Sequence, residues 1–236
     1  MNASMLKVHP KTGEIKGKVS LRTFADTDGS PEMSWVRMNN GRVLCLLQRL
    51  NINNAYRPTD YSLMASIDPA TDDTFTIRLA RTNRVTQIKA DDSGFLYVGE
   101  AGLTGRFSRL DGGIERFDPA TMESKGLVVE ESELGGDIVD FEIVNDSLGF
   151  VIVGSEKTSI VAFDPSIGKK LGTVLGKESF AFQQLLYDRE RKLMYVLDKD
   201  ARRPAIRVFE IPAFKEREEW RWEFRLSPTF IALMEG

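Results

Sequence analysis

A short unit made of a strand, a tight turn and a second strand recurs along this 236-residue chain, and its regular spacing limits the possible folds more than any other feature. The clearest copy is GIERFDPATMESKGLVV, in which an Asp-Pro turn at Asp118 separates two runs of alternating or apolar residues. Aligned on the turn, the equivalent positions are His9, Asp68, Asp118, Asp164 and Glu210, which lie 59, 50, 46 and 46 residues apart. This regularity predicts a repeat architecture with one unit about every 45 residues.

Each unit contains four short apolar or alternating segments, and none has the period of an amphipathic helix. We label the predicted strands A to D in the order of the unit. The A strands are residues 34–38, 85–90, 138–144 and 182–187, the continuously apolar B strands are 43–47, 95–98, 150–153 and 193–197, and C and D flank the turn, as at 63–67 and 74–79 or 159–163 and 170–175. Four strands in about 45 residues are typical of a β-propeller blade. The predicted fold is therefore an all-β propeller of about five four-stranded units.

The predicted units do not begin and end at blade boundaries. The chain opens on a C strand at residues 5–8 and closes on a predicted lone A strand at residues 229–234, which gives five C–D pairs but four A–B pairs. Either the two ends meet to complete a fifth, three-stranded blade, or residues 1–236 form a single propeller domain that is the C-terminal part of a larger ring. The opening in the middle of a blade favours the incomplete ring.

Composition argues against several kinds of functional site. A formal net charge of −3 gives no electrostatic reason to expect nucleic acid or an anionic membrane as a partner, and no apolar run is long enough to span a bilayer. The single cysteine, Cys45, and the single histidine, His9, cannot form an internal disulfide or a Cys/His zinc site. No catalytic, metal-binding or cofactor-binding residues are predicted, and the first residues do not resemble a signal peptide.

The repeated turn residues have a structural explanation. Asp68, Asp118 and Asp164 are expected to accept hydrogen bonds from backbone N–H groups of their own turns, and His9 occupies the same position. Because they lie on successive blades, they should be too far apart to act together in acid–base catalysis. The segment DTDGSPE at residues 26–32 resembles part of a calcium loop, but a solvated acidic connection between blades is the favoured interpretation.

Two B–C connections are not explained by the repeat. Residues 48–61 and 99–111 are about twice as long as the equivalent connections of the other two complete units, and they are rich in residues that are frequent in recognition surfaces. Since they leave consecutive B strands, they should lie side by side on one face, with Asp60 and Asp111 orienting neighbouring guanidinium groups. Neutral drift in loop length is the alternative. The residues predicted to bind a partner are Arg49, Asn53, Tyr56, Arg57, Asp60, Arg106, Arg109 and Asp111.

Several motifs of the chain resemble a known group of proteins. They are FADTDGSPEM at residues 24–33, LQRLN at 47–51, PTDYSL at 58–63, LDGGIE at 110–115 and LGGDI at 134–138. Together they resemble bacterial exported β-propeller proteins of the superfamily that includes surface-layer proteins and the quinoprotein amine dehydrogenase β-chain-like propellers. The resemblance implies a ring of about seven blades and an extracytoplasmic or cell-envelope location, in many members as a lipoprotein.

Two hypotheses about function follow. The first is a non-enzymatic binding or scaffold propeller of the cell envelope that engages a protein or a glycan through its long-loop face. The second, which the resemblance implies, is a lactonase-like or quinoprotein-associated enzyme with a metal or cofactor in the central channel. The predicted A strands contain few acids and amides, among them Glu142, Gln87 and Gln184, and no histidine, so the first hypothesis is favoured. An acidic protein patch or a carboxylate-bearing glycan would suit the arginine-rich loops.

Overall fold

The structure, a computed structural model, describes residues 3–83 and 86–233 and consists mainly of antiparallel β-sheet. The strands are β1 Ser4–Val8, β2 Ile15–Ser20, β3 Met33–Asn39, β4 Arg42–Leu47, β5 Leu50–Asn51, β6 Arg57–Pro58, β7 Leu63–Ile67, β8 Thr74–Arg78, β9 Lys89–Ala90, β10 Leu96–Glu100, β11 Gly113–Phe117, β12 Ser124–Glu130, β13 Ile138–Asn145, β14 Leu148–Gly154, β15 Thr158–Asp164, β16 Lys169–Gly176, β17 Phe182–Asp188, β18 Leu193–Asp198, β19 Ala205–Glu210, β20 Lys215–Glu216 and β21 Trp222–Glu223. The helical elements of these residues are the α-helix α1, Glu131–Leu134, and 3₁₀ turns at Arg22–Phe24, Ile52–Asn54, Gly105–Phe107 and Glu218–Trp220. Among the described residues, no helix has the length and apolar character needed to span a bilayer.

Four consecutive sheets form the body of the molecule, and in each the strands pair with their neighbours in chain order. We call them blade 1 (β3, β4, β7, β8), blade 2 (β9 to β12), blade 3 (β13 to β16) and blade 4 (β17 to β20, with β21 also paired to β19). Strands β1 and β2 form a separate two-stranded sheet, which we call the opening hairpin. The all-β propeller prediction is confirmed, including the additional C–D pair at the start of the chain.

Apolar side chains fill the space between successive blades, because the B and C strands carry apolar residues on both faces. One buried cluster lies between the opening hairpin and blade 1, and three more lie between blades 1 and 2, 2 and 3, and 3 and 4. Each cluster contains side chains from both of the sheets that it joins. From the first cluster to the fourth, examples are Val19 with Cys45, Leu44 with Phe117, Tyr97 with Phe141, and Phe150 with Phe182. The core is thus a series of sheet-to-sheet layers, as expected for blades packed face to face.

The innermost strands of blades 2, 3 and 4 converge at a central region that we call the hub. Arg189, which follows β17, donates from Nη2 to the carbonyl oxygens of Ala90 at 2.6 Å and Ile143 at 2.9 Å. Lys89 on β9 donates to the carbonyl oxygen of Leu185 on β17 at 3.3 Å. Long cationic side chains therefore satisfy main-chain acceptors of neighbouring inner strands, which ties three blades together at the centre.

The Asp-Pro turns have the predicted chemistry. The Asp118 carboxylate accepts hydrogen bonds from the backbone N–H groups of Ala120 at 2.9 Å and Thr121 at 3.2 Å. These bonds hold the pKa of Asp118 below its usual value. His9 fills the same position in the opening hairpin, where its Nδ1 accepts from the backbone N–H of Thr12 at 3.2 Å. Local folding accounts for these residues.

The first strand of blade 2 is shorter than predicted. It contains only Lys89 and Ala90 rather than residues 85–90, and residue 85 lies outside the described residues. The Thr86 hydroxyl, rather than a backbone carbonyl, accepts the N–H of Gly99 on the neighbouring strand at 2.8 Å. A side chain thus replaces the ladder hydrogen bond that the alternating pattern had indicated.

The end of the chain also differs from the prediction. The 3₁₀ turn at Glu218–Trp220 divides the fourth strand of blade 4 into β20 and β21. Residues 229–233 do not form the predicted A strand, and residue 234 lies outside the described residues. The reason is that Ile231 pairs with the side-chain amide of Gln184, which accepts from its N–H and donates to its carbonyl oxygen, both at 2.9 Å.

Candidate interaction surface

The first long connection, which leaves β4 of blade 1, folds into a small hairpin of its own. Strands β5 and β6 pair with each other, and the 3₁₀ turn Ile52–Asn54 lies between them. Ala55 and Tyr56 have φ angles of 53° and 56°, and the Tyr56 N–H donates to the Asn51 carbonyl oxygen at 2.9 Å. Residues other than glycine adopt such angles rarely. The tip therefore holds Tyr56 in a defined conformation, with its side chain 53% exposed.

Two side chains support this small hairpin from below. Asp28 accepts the backbone N–H of Ile52 at 2.8 Å, and this bond holds the pKa of Asp28 below its usual value. Arg49 is only 8% exposed; its guanidinium lies 4.0 Å from the centre of the Tyr61 ring and donates to the Tyr61 carbonyl oxygen at 3.3 Å. The prediction that Arg49 belongs to an exposed binding surface is corrected, because its stacking on Tyr61 keeps it inside the base of the loop.

The acidic segment at residues 26–32 is a brace rather than a fully solvated connection. The carbonyl oxygens of Pro31 and Glu32 accept the N–H groups of Arg49 at 3.3 Å and Gln48 at 3.1 Å, which extends the pairing of β3 with β4. Glu32 is buried, and burial raises the pKa of its carboxyl group. Within residues 3–83 and 86–233, no group of three or more His, Cys, Asp or Glu side chains is arranged to hold a metal ion.

The second long connection, which leaves β10 of blade 2, is fixed by carboxylates at both sides. Asp137, in the connection that enters blade 3, accepts the Gly105 N–H at 2.8 Å and also the Ser108 hydroxyl. Asp111 accepts the Leu103 N–H at 3.1 Å from within the loop itself. In the sequence, Asp137 stands out only as part of the LGGDI motif, because nothing local shows that it contacts a loop of the preceding blade.

The two loops meet at Phe107, which confirms that they lie side by side. The Arg57 guanidinium carbon, from the first loop, lies 5.3 Å from the centre of the Phe107 ring, and that of Arg106 lies 4.8 Å from it. Phe107 is 50% exposed and is absent from the set of residues predicted to bind. Its only signal in the sequence is that it is the single aromatic residue of residues 99–111. We call Tyr56, Arg57, Arg106, Phe107 and Arg109 the loop rim.

The guanidinium groups of the loop rim differ from other arginines of the described residues in their ionic contacts. Other arginines of the described chain form ion pairs, such as Arg81 with Glu130 at 2.8 Å, but the ion pairs seen in this part of the chain include none of the three rim arginines. The prediction that Asp111 orients these guanidinium groups is corrected, since its carboxylate accepts the Leu103 N–H within its own loop. The same prediction for Asp60 stays a prediction. The predicted residues other than Arg49 are all exposed, namely Asn53, Tyr56, Arg57, Asp60, Arg106, Arg109 and Asp111.

Buried carboxylates beneath the loops hold the connecting backbone in place. Glu100 accepts the Arg81 N–H at 2.5 Å, and Glu131 accepts the N–H groups of Gly112 at 2.9 Å and Ile138 at 2.6 Å. Burial raises the pKa of Glu100 well above its usual value and that of Glu131 to about 7. These residues are missing from the sequence-based set, because their partners come from other blades or connections.

The hub contains a buried cluster of one cation and two anions. Lys89 of blade 2 donates to the Glu142 carboxylate at 2.8 Å and lies 3.7 Å from an Asp140 carboxylate oxygen, both on β13. All three side chains are at most 8% exposed. Burial raises the pKa of Asp140 to about 6. Both hub carboxylates therefore serve as partners of Lys89 within the fold.

The sheets and their connections define the class of this protein: a β-propeller whose blades differ from one another mainly in the loops of one face. No protein-family model and no curated protein matches the chain. Solved structures do match, and they share the propeller fold.

Three of these structures show the extent of the similarity. The complex of KlAtg21 with the coiled coil of AgAtg16 matches with a TM-score of 0.55 and 12% identity over 91% of this chain and 61% of that one. The dihydro-heme d1 dehydrogenase NirN in complex with DHE matches with a TM-score of 0.53 and 11% identity over 96% and 43%. The β-propeller domain of the Trilobed protease from Pyrococcus furiosus, which has an open velcro topology, matches with a TM-score of 0.49 and 14% identity. That match covers 85% of this chain and 59% of the other. This chain thus spans less than two thirds of each matched chain, and identities this low establish the fold alone.

Proposed function

We propose that this protein is a non-enzymatic binding or scaffold propeller of the cell envelope that engages an acidic partner through the loop rim. The observation that carries the proposal is the contact of both Arg57 and Arg106 with the ring of Phe107, which joins loops of two different blades into one surface. The partner is an acidic segment of a protein or, as the other source of the same chemistry, a carboxylate-bearing glycan.

The chemistry of the loop rim fits such a partner. Guanidinium groups bind carboxylates through two parallel hydrogen bonds, and stacking on an aromatic ring restricts their orientation before the partner arrives. Tyr56 and Phe107 present half-exposed rings beside these charges, and aromatic residues together with arginine dominate the energetics of protein interfaces. The rim therefore combines charge attraction with apolar contact area.

The fold itself is compatible with binding and with catalysis. The propeller KlAtg21 is in complex with a coiled coil, whereas the propeller NirN is a dehydrogenase. Function must therefore be argued from the site. The envelope location rests on the resemblance of the sequence motifs to exported propellers.

The test compares a rim variant with a matched control. The rim variant is Arg57→Ala/Arg106→Ala/Phe107→Ala, and the control Lys11→Ala/Arg202→Ala/Leu171→Ala removes the same charge and one exposed apolar side chain from other parts of the surface. Binding to poly-glutamate and to a polyuronate is measured by biolayer interferometry at low and high salt.

We expect saturable, salt-weakened binding by the wild type, roughly tenfold or greater loss of affinity in the rim variant, and little change in the control. Preference for poly-glutamate would identify a protein partner, and preference for the polyuronate a glycan. Equal affinities of the wild type and the rim variant for both polymers would exclude the loop rim as the binding site.

A second experiment separates binding from neutral drift in loop length. The outer parts of the two connections, residues 51–58 and 102–110, are each replaced by a tight turn that leaves the buried Arg49 and Glu100 in place, and capture of polymer or of envelope components is compared with the wild type. We expect the melting temperature to stay close to the wild-type value while capture is lost, because both loops project from completed blades. Retained capture would indicate that the added length is drift.

A further inference from the structure

Residues 227–233, which we call the hub segment, leave the rim of blade 4 and lie against the hub. The ring of Phe230 stacks on Trp35 of the first blade's inner strand, with ring centres 6.0 Å apart and planes inclined by 25°. Ile231 is held by Gln184 of the fourth blade's inner strand through the pair of 2.9 Å hydrogen bonds described above. The hub segment therefore connects the inner strands of the first and last blades.

Gln184 recognises main chain rather than side chain. A carboxamide presents one acceptor and one donor in a plane, which matches the N–H and C=O groups of a single residue in an extended peptide. Gln184 is itself 7% exposed, so its amide has little access to water and requires a partner of this kind. Trp35 adds a flat ring that favours an aromatic residue at the position before the one held by Gln184.

The hub segment is bound as a ligand would be, without becoming part of the core. Phe230 remains 51% exposed and Leu233 47% exposed, and only Ile231 and Pro228 are half-buried. In the described structure, the two bonds to Gln184 are the hydrogen bonds that residues 225–233 make. A peptide held by one amide pair and one ring contact can leave without disturbing the blades.

The site is larger than the part that the hub segment fills. A cavity of about 140 Å³ adjoins Thr229 and Phe230 and is also lined by Gln87, Asp140, Gln183 and Lys199. These side chains provide further amide and charged groups along the path of an extended chain. The same cavity lies on the face where A strands begin and B strands end, which is the face of the loop rim.

We propose that the mouth of the hub, formed by Trp35 and Gln184, is a recognition site for an extended peptide of a partner protein. The peptide carries an aromatic residue followed by a residue with a backbone N–H, and the hub segment occupies the site in its absence. The proposal uses none of the loop-rim residues, so it stands or falls independently of the function proposed above.

The experiment opens the site in the full chain and supplies the peptide separately. The double variant Phe230→Ser/Ile231→Pro removes the stacking ring and the N–H that Gln184 accepts. The probe is a fluorescein-labelled synthetic peptide SPTFIAL, the sequence of residues 227–233, and binding is followed by fluorescence anisotropy.

We expect saturable binding of SPTFIAL to the double variant and at least about tenfold weaker binding to the wild type, whose tethered hub segment competes at a high effective concentration. The peptides SPTFPAL, which lacks the N–H, and SPTSIAL, which lacks the ring, should not bind. Adding Gln184→Ala to the double variant should abolish binding, and Gln184→Glu, which keeps the shape but loses the donor, should do the same.

Absence of saturable binding to the folded double variant, or binding that is unaffected by the proline peptide substitution, would overturn the proposal. The peptide controls need no change at Gln184, so they decide the question even if both Gln184 variants fail to fold. Concentration-dependent dimers of the wild type that disappear in the double variant would support the site with a second copy of the chain as the source of the peptide.

Discussion

Replacing Lys89 by methionine should destabilise the protein strongly and in a pH-dependent manner. Lys89 contacts Glu142 at 2.8 Å and Asp140 at 3.7 Å, and all three side chains are almost fully shielded from water. Lys89→Met retains the apolar part of the side chain but leaves two like-charged carboxylates close together at the hub without a cation.

The magnitude follows from the burial of the cluster. Removing one partner of a buried ion pair typically costs about 3–5 kcal/mol, because the remaining charge keeps its desolvation penalty. Burial raises the pKa of Asp140 to about 6, above its usual 3.8, so its contribution to stability is present below pH 3.8 and is lost as the pH rises through about 6. At pH 5 Asp140 is largely protonated and the variant carries mainly the charge of Glu142. The full cost should therefore appear at pH 8, with a smaller cost at pH 5.

Urea denaturation followed by circular dichroism at pH 5 and pH 8 measures both quantities. The control is the triple variant Lys89→Met/Asp140→Asn/Glu142→Gln, which removes the charges together and should recover much of the lost stability. A Lys89→Met variant as stable as the wild type at both pH values would refute the reasoning, since it would mean that water reaches the hub and solvates the carboxylates.

Two further changes test the turns and the supports of the loops. Asp118→Ala should lower the melting temperature at pH 7, and its difference from the wild type should shrink below about pH 4, while affinity for acidic polymers should not change. The reason is that backbone hydrogen bonds keep the pKa of Asp118 below its usual value, so protonation at low pH removes the stability that the carboxylate contributes. Glu131→Gln should reduce the loss of stability between pH 5 and pH 8, since burial raises the pKa of Glu131 from 4.5 to about 7 and the wild type loses this contribution to stability as the pH rises from 4.5 through about 7. Thermal melts at pH 5 and pH 8 measure this loss in both proteins. If Glu131 were solvated, the melting temperatures of the wild type and of Glu131→Gln would fall by the same amount between the two pH values.

Sequence reasoning succeeds here where the determining interactions are local. The bonds from Ala120 and Thr121 to Asp118 span two and three residues, so the Asp-Pro pattern itself contains the turn. Apolar periodicity likewise places B strands correctly, since a strand buried on both faces must be apolar throughout. The repeat of both signals is enough to predict blades and the order in which they follow one another.

The parts that sequence reasoning missed depend on contacts between distant segments. Asp137 supports a loop about thirty residues before it in the chain, bonding to Gly105, and Gln184 binds Ile231 across the hub. Arg49 is of a residue type that is frequent in recognition surfaces, yet its guanidinium group stacks on the ring of Tyr61 and is buried. No local pattern distinguishes an exposed arginine from one that stacks on a ring. Nor does any local pattern show whether a segment such as residues 229–233 pairs with a strand or with a side-chain amide.

The two faces of the propeller are used differently, and this difference bears on the two recognition sites proposed above. On the opposite face, the carbonyl oxygen of Pro119 in an Asp-Pro turn accepts side-chain hydrogen bonds from Asn39 and Asn40 of the preceding blade, and that of Pro69 accepts one from Lys7, all at 2.9 Å. The repeated turns on that face are thus used to join blades, which explains why they repeat. The loop rim and the hub segment lie on the other face and belong to no repeat. The repeat therefore does not account for their residues, and the partner recognition proposed above would account for them.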